Sequence, residues 1–125
     1  MTVTLNHTIV HVRDKVASAR FYAEILGLPA AEPFSHFMVL SLRNDVSLDF
    51  LDLRPDISPQ HYAFLVSEDE SDEIFERIKQ RNLDHWGDPG HHQPGKINTN
   101  DGGRGVYWSD PDGHNLEILT RPYGG

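Results

Sequence analysis

The stretch LNHTIVHV, residues 5–12, has the composition of a buried strand, with Leu5, Ile9, Val10 and Val12 as core material. It nevertheless carries His7 in its middle and His11 four residues on. Successive side chains of an extended segment point to opposite faces. Leu5, His7, Ile9 and His11 therefore share one face, and Thr8, Val10 and Val12 share the other. A lone strand histidine is ordinarily a satisfied core or surface residue. Whether His7 is more than that depends on the partners supplied by the rest of the chain.

The following segment, RDKVASARFYAEILGL (13–28), switches to a helical period. Ala17, Phe21, Ile25 and Leu28 fall near one stripe, which Tyr22 and Leu26 widen. Asp14 is the candidate N-cap and Gly27 the stop. HFMVLSL (36–42) and VSLDFLDL (46–53) read as strands joined by a tight turn at RND. RPDISPQ (54–60), with its two prolines, reads as a linker.

The order then repeats. HYAFLV (61–66) is a strand, and SEDESDEIFERIKQRNL (67–83) an amphipathic helix with Ile74, Phe75 and Ile78 inward. Ser67 and Glu70 have capping-box spacing. After a polar stretch over 87–105, GVYWSD and HNLEILT form a last strand pair around the turn DPDG. Each half reads β-α-β-β with room for one further short strand. His7 and His61 are 54 residues apart, as are Phe21 and Phe75, so the chain is read as one domain built from two modules, about 1–54 and about 60–125.

A chain of 125 residues suits a single domain. Eleven basic against nineteen acidic residues give a net charge of −8 with no basic stripe, which argues against nucleic acid and anionic membranes as partners. No apolar run approaches a membrane span and no signal-peptide layout opens the chain, so the expected location is cytoplasmic. Cysteine is absent, so any metal must be held by His, Asp or Glu, and eight histidines are available.

Strand alternation narrows the choice. Asp49 lies opposite Leu48 and Phe50, His61 opposite Tyr62 and Phe64, and Glu117 opposite Leu116 and Ile118. In each case the large apolar set lies on the side a helix would cover, and His7, Asp49, His61 and Glu117 fall on the other. A carboxylate buried there without a partner is costly, and a divalent cation removes that cost. Two histidines with one or two carboxylates suit Fe(II), Mn(II), Ni(II), Co(II) or Zn(II).

LNHTIVHVRDKVASARFYAEILGL and GVYWSDPDGHNLEILT resemble the opening and closing signatures of the vicinal oxygen chelate superfamily, which includes glyoxalase I, extradiol dioxygenases, fosfomycin-resistance enzymes and bleomycin-binding proteins. The spacing FY-x-x-x-LG followed by DPDG-x-x-x-E carries the likeness over nearly the whole chain. The resemblance implies an α+β fold, two βαβββ modules forming a cupped open barrel around a metal. It implies ligands at His7, His61 and Glu117, with Asp49 where glyoxalase I has a glutamate. It also implies a homodimer with modules exchanged, so that one site draws His7 and Asp49 from one chain and His61 and Glu117 from the other.

The superfamily's shared chemistry is bidentate chelation of two neighbouring substrate oxygens. Aspartate is one methylene shorter than glutamate, so Asp49 is expected to be the weaker ligand or to hold a metal-bound water. That favours a three-ligand Fe(II) site and a dioxygenase acting on an aromatic vicinal diol or quinone-like small molecule. A glyoxalase-type lyase or isomerase is the competing enzyme reading, and a metal-free antibiotic-binding protein the non-enzymatic one. Ile9, His11, Leu51, Leu65 and Leu119 are expected to line the cup, with His11 as a general acid or base. One of Tyr107 and Trp108 is expected to enter it. Gly102, Gly103 and Gly105 would let a lid bend, bringing Asn98, Asn100 and Arg104 to polar substrate groups. His114 is expected at the surface. His91 and His92, adjacent on a loop, are not read as a second metal site, and His91→Ala is expected to leave metal binding and activity intact.

Overall fold

The computed structural model describes residues 2–122. The chain divides into two compact units, Met1–Ser58 and Pro59–Gly125. Unit one runs β1 (His7–His11), α1 (Lys15–Leu26), β2 (Glu32–Phe34), β3 (Phe37–Ser41) and β4 (Ser47–Leu51). Its sheet has the order β1-β4-β3-β2. β1 pairs parallel with β4, and the other neighbours are antiparallel.

Helix α1 begins where the Asp14 carboxylate accepts the Ala17 N–H at 3.0 Å, and ends at Gly27, whose φ of +72° is readily reached without a Cβ. It packs on β3 and β4, where Tyr22 meets Phe50 edge-on with ring centroids 4.8 Å apart. The buried side of α1 is Ser18, Ala19, Tyr22, Ala23 and Ile25, whereas Ala17 is exposed and Phe21 and Leu28 are half-buried. The stripe is thus turned by about one residue, or about 100°, from the one centred on Ala17 and Phe21. Small residues at 18, 19 and 23 let the helix backbone approach the sheet, a preference that hydrophobicity alone does not express.

Unit two repeats the order: β5 (His61–Leu65), α2 (Glu68–Gln80), β6 (His85–Trp86), β7 (Gly105–Ser109) and β8 (Asn115–Leu119), with a short 3-10 turn at Asn100–Gly102. Its sheet order is β5-β8-β7-β6, with β5 parallel to β8. The extra short strand in each half is β2 or β6. Both are too short to show alternation, and β2 carries Pro33. The Ser67 hydroxyl accepts the Glu70 N–H at 3.1 Å while the Glu70 carboxylate accepts the Ser67 N–H at 2.9 Å, so the capping box is formed.

The α+β class and the doubled β-α-β-β-β order agree with the sequence reading. So does the division of faces within each unit. Val10, Leu48 and Phe50 are buried in unit one, as are Leu116, Ile118 and Trp108 in unit two. His7 and Asp49, and likewise His61 and Glu117, lie on the alternate positions. The registers match as well: His7 stands beside Ser47 and Ile9 beside Asp49, as His61 stands beside Asn115 and Ala63 beside Glu117. No helix among the described residues is long and apolar enough to cross a membrane.

Candidate metal centre

Each unit presents a histidine at the start of its first strand and a carboxylate two residues along the neighbouring strand. In unit two, the His61 Nδ1–H donates to the Asn115 carbonyl at 2.9 Å. A carbonyl only accepts, so the proton is on Nδ1 and Nε2 keeps its lone pair when the ring is neutral. That Nε2 lies 3.1 Å from Glu117 Oε1, and Glu117 is 1% exposed. A lone pair and a buried carboxylate oxygen repel at this separation unless a proton or a cation lies between them. Ligand atoms about 2.1 Å from a metal and at right angles to each other are about 3.0 Å apart, so the pair fits a first-row divalent ion.

Tyr107 is the cross-strand partner of Glu117 and therefore shares its face. Its ring lies 6.0 Å from that of His61 with 24° between the planes. Trp108, one residue on, is fully buried and paired with Leu116 on the other face.

In unit one, the His7 Nδ1–H donates to Asn6 Oδ1 at 2.7 Å, which again leaves Nε2 as the free lone pair. The Asp49 carboxylate accepts the Ser47 hydroxyl at 2.7 Å. Both residues open onto a cleft of about 730 Å³, whose other walls include Pro29, Pro33, Phe34, Phe37 and Val39. The lining contains Glu32 but neither Lys nor Arg. Within either unit, no three His, Asp or Glu side chains converge among the described residues. Each unit thus has one imidazole and one carboxylate at equivalent strand positions.

Several expectations about neighbouring residues change. His11, at the far end of β1, is half-buried. Four strand steps separate it from His7 by about 13 Å, so it can meet only a remote part of anything His7 touches. Arg104 is engaged by acidic residues of α2. Its Nε–H donates to Glu68 Oε1 at 2.7 Å, one terminal nitrogen to Asp72 Oδ1 at 2.6 Å and the other to the Glu68 carbonyl at 2.9 Å. Asp72 and then Glu68 hold the guanidinium pKa above its ordinary value, and hydrogen bonds from Thr120 and Arg104 hold the Glu68 carboxyl below its own. Arg104 is therefore a tie to the first turns of α2.

The 87–105 segment is also not a free lid. Gly87 N–H donates to the Gln93 carbonyl at 3.0 Å, Gly95 N–H to the His85 carbonyl at 2.8 Å, and Asn98 Nδ2–H to the Gly87 carbonyl at 2.9 Å. Gly103 is required by close approach, since a Cβ there would lie 2.6 Å from Thr120 Oγ1. His114 is fully buried rather than at the surface. Its Nδ1 accepts the Gln60 N–H at 2.9 Å, which fixes the entry to β5 just before His61.

Asn115 and Trp86 were given no role from the sequence, and His91 was read only as not forming a second metal site, although all three adjoin the His61–Glu117 pair. The His91 Nε2–H donates to Asn115 Oδ1 at 3.0 Å, and its ring lies flat on Trp86 with centroids 3.6 Å apart. The usable signal was the second occurrence of a pattern: Asn115 precedes Glu117 by the interval that separates Ser47 from Asp49.

Comparison with known proteins places the chain among relatives of the same fold. A curated relative, the glutathione transferase FosA of Serratia marcescens, is 31% identical over 124 residues, covering 94% of this chain and 81% of the relative. Two solved structures are far more similar. One titled "Oxidase ChaP-H1" is 69% identical with a TM-score of 0.97, covering 99% of this chain and all of the other. One titled "Oxidase ChaP-H2" is 62% identical with a TM-score of 0.97, covering all of this chain and 98% of the other. The family model for the Glyoxalase/Bleomycin resistance protein/Dioxygenase superfamily matches residues 4–118, and the chain belongs to that superfamily.

Proposed function

We propose that the protein is a divalent-metal-dependent oxygenase, with Fe(II) as the working ion, that acts on an aromatic vicinal diol or a quinone-like small molecule. The observation that carries the reading is the His61–Glu117 pair: an imidazole nitrogen, its other nitrogen committed to a carbonyl, 3.1 Å from a buried carboxylate. In this reading His7, His61 and Glu117 hold the ion, and Asp49, already engaged by Ser47, is the weaker fourth ligand or holds a metal-bound water. Because each unit contributes only part of the set, we place the complete site in a homodimer with exchanged modules.

An ion held by these residues would supply Lewis-acid stabilisation of negative charge developing on neighbouring substrate oxygens. The chain's own groups do the rest. Phe34, Phe37 and Val39 give the unit-one cleft apolar walls suited to a flat ring system, and Tyr107 supports the His61 ring. His11 serves as an acid or base only toward a distant substrate group.

Two observations support oxygen chemistry over the alternatives. The chain is 69% identical to a protein titled an oxidase. The cleft lacks the Lys and Arg side chains that an anionic thiol conjugate or phosphonate needs, and Arg104 is committed to α2. The likeness to a glutathione transferase keeps thiol transfer as the second reading. Purification without chelator, elemental analysis and oxygen-electrode measurements with 1,2-dihydroxynaphthalene separate them. Iron near one per chain with diol-dependent O₂ uptake is the expected result. A metal other than iron with transfer of glutathione to an electrophile or turnover of a glutathione hemithioacetal, or no metal at all, overturns it.

A further inference from the structure

We propose that His91 is a positioning residue for the His61–Glu117 pair, acting through the side chain of Asn115. The proposal rests on the assignment of His61 as a metal ligand, and its geometry lies wholly within unit two.

Every polar group of Asn115 is committed. Its N–H donates to the Gln60 carbonyl at 2.8 Å and its carbonyl accepts the His61 Nδ1–H at 2.9 Å. Its Nδ2–H donates to the Pro89 carbonyl at 3.3 Å, which identifies Oδ1 as the acceptor toward His91. Asn115 is thus held at both ends, with one end setting the plane of the His61 ring. The remaining freedom is rotation of the amide, which the His91 Nε2–H at 3.0 Å opposes together with the longer 3.3 Å contact to the Pro89 carbonyl.

The loop that carries His91 is built to hold it there. His91 has a φ of +62°, a left-handed conformation that an L residue rarely adopts. The turn is closed by the Asp88 carboxylate, which accepts the His92 N–H at 2.8 Å and the Gln93 N–H at 2.7 Å. The imidazole then lies on the Trp86 indole with 3° between the planes. Trp86 is in turn the β-sheet partner of Tyr107, whose ring faces His61. A strained backbone, an acidic clamp and a coplanar stack are more than a solvated loop requires. They share one consequence, a hydrogen-bond donor fixed against the residue that orients His61.

The test uses His91→Phe, which keeps a flat ring on Trp86 and removes the donor, and His91→Gln, which keeps a donor. Zn(II) affinity is measured by competition with a chelator. The ring nitrogens of His61 are followed by long-range ¹H–¹⁵N NMR in metal-free protein. His91→Phe is expected to bind Zn(II) about 10- to 100-fold more weakly, the usual range for partners of metal ligands. Its His61 nitrogens should move from a single Nδ1–H form toward an average of both tautomers. His91→Gln should lie close to wild type in both measurements. Wild-type affinity and unchanged His61 nitrogens in His91→Phe overturn the proposal, as does a His91→Gln protein as impaired as His91→Phe. Failure of the wild-type protein to bind Zn(II) would count against the metal reading, and the nitrogen spectra would still decide the positioning role.

Discussion

At the scale of single residues, the main question is what a buried carboxylate does beside an imidazole lone pair. In metal-free protein, the Glu117 carboxyl is withdrawn from water, and that desolvation opposes folding. Glu117→Gln keeps the shape and removes the charge. Its metal-free form should therefore melt no lower than wild type. The metal-dependent stabilisation should vanish: wild type gains about 2.7 kcal/mol when free ion is held at about 100 times its dissociation constant, and the variant gains nothing. Calorimetry of the two proteins with and without Zn(II) checks both halves, and a Glu117→Gln protein still stabilised by the ion would remove Glu117 from the ligand set. The faces of His7, Asp49, His61 and Glu117 were legible in the sequence because alternation in a strand is strict and the pattern occurs twice. Arg104, His114 and His91 were not, because their roles are set by partners distant in sequence. Arg104 meets Glu68, 36 residues away, and His114 meets the Gln60 N–H, 54 residues away. The expectation that His91→Ala is silent and the proposed positioning role of His91 lead to opposite outcomes, which the His91 variants decide.

At the scale of elements, helix α2 shows how local and distant signals combine. The Ser67–Glu70 capping box was readable from spacing, and Ser67→Ala should cost about 1 kcal/mol in urea denaturation. The Arg104 tie was not readable, yet it governs the acid response of the same helix end. Thr120 and Arg104 lower the Glu68 pKa from 4.5 in the folded protein. The folded state therefore favours the ionised carboxyl. The resulting stability is fully present above the unfolded value of 4.5 and is lost as pH falls through the lower folded value. Arg104→Met should accordingly be less stable than wild type at about pH 6, with the gap closing toward about pH 3. Urea midpoints across that range test the sign, and a gap that widens in acid would contradict it. The other misreadings at this scale have simple origins. Strand β6 has two residues, too few for periodicity. The buried stripe of α1 includes Ser18, Ala19 and Ala23, chosen for small size. The 87–105 segment was rich in turn residues but held by its own backbone hydrogen bonds.

At the scale of the whole molecule, the informative property is duplication with division of labour. The two units share an element order and a register, and each offers one imidazole and one carboxylate to the side away from its buried apolar residues. Among the described residues, neither brings three His, Asp or Glu side chains together. In the proposed dimer the second pair of ligands comes from the other chain. The arrangement has a consequence that no single-chain site shares. His7→Ala damages only unit one, and Glu117→Gln only unit two. Homodimers of either variant have one damaged half in every site. A heterodimer of the two concentrates both lesions in one site and leaves the other with an intact His7 from one chain and an intact His61–Glu117 pair from its partner. Equal mixing with subunit exchange gives about half heterodimers by random pairing, so about a quarter of all sites should regain tight metal binding and activity. Differently tagged copies expressed together and purified through both tags should approach half. If one chain supplied all the ligands, every site in every mixture would carry a lesion and recovery would be absent. Full recovery is excluded under either arrangement, so partial complementation distinguishes the exchanged dimer from a self-contained chain.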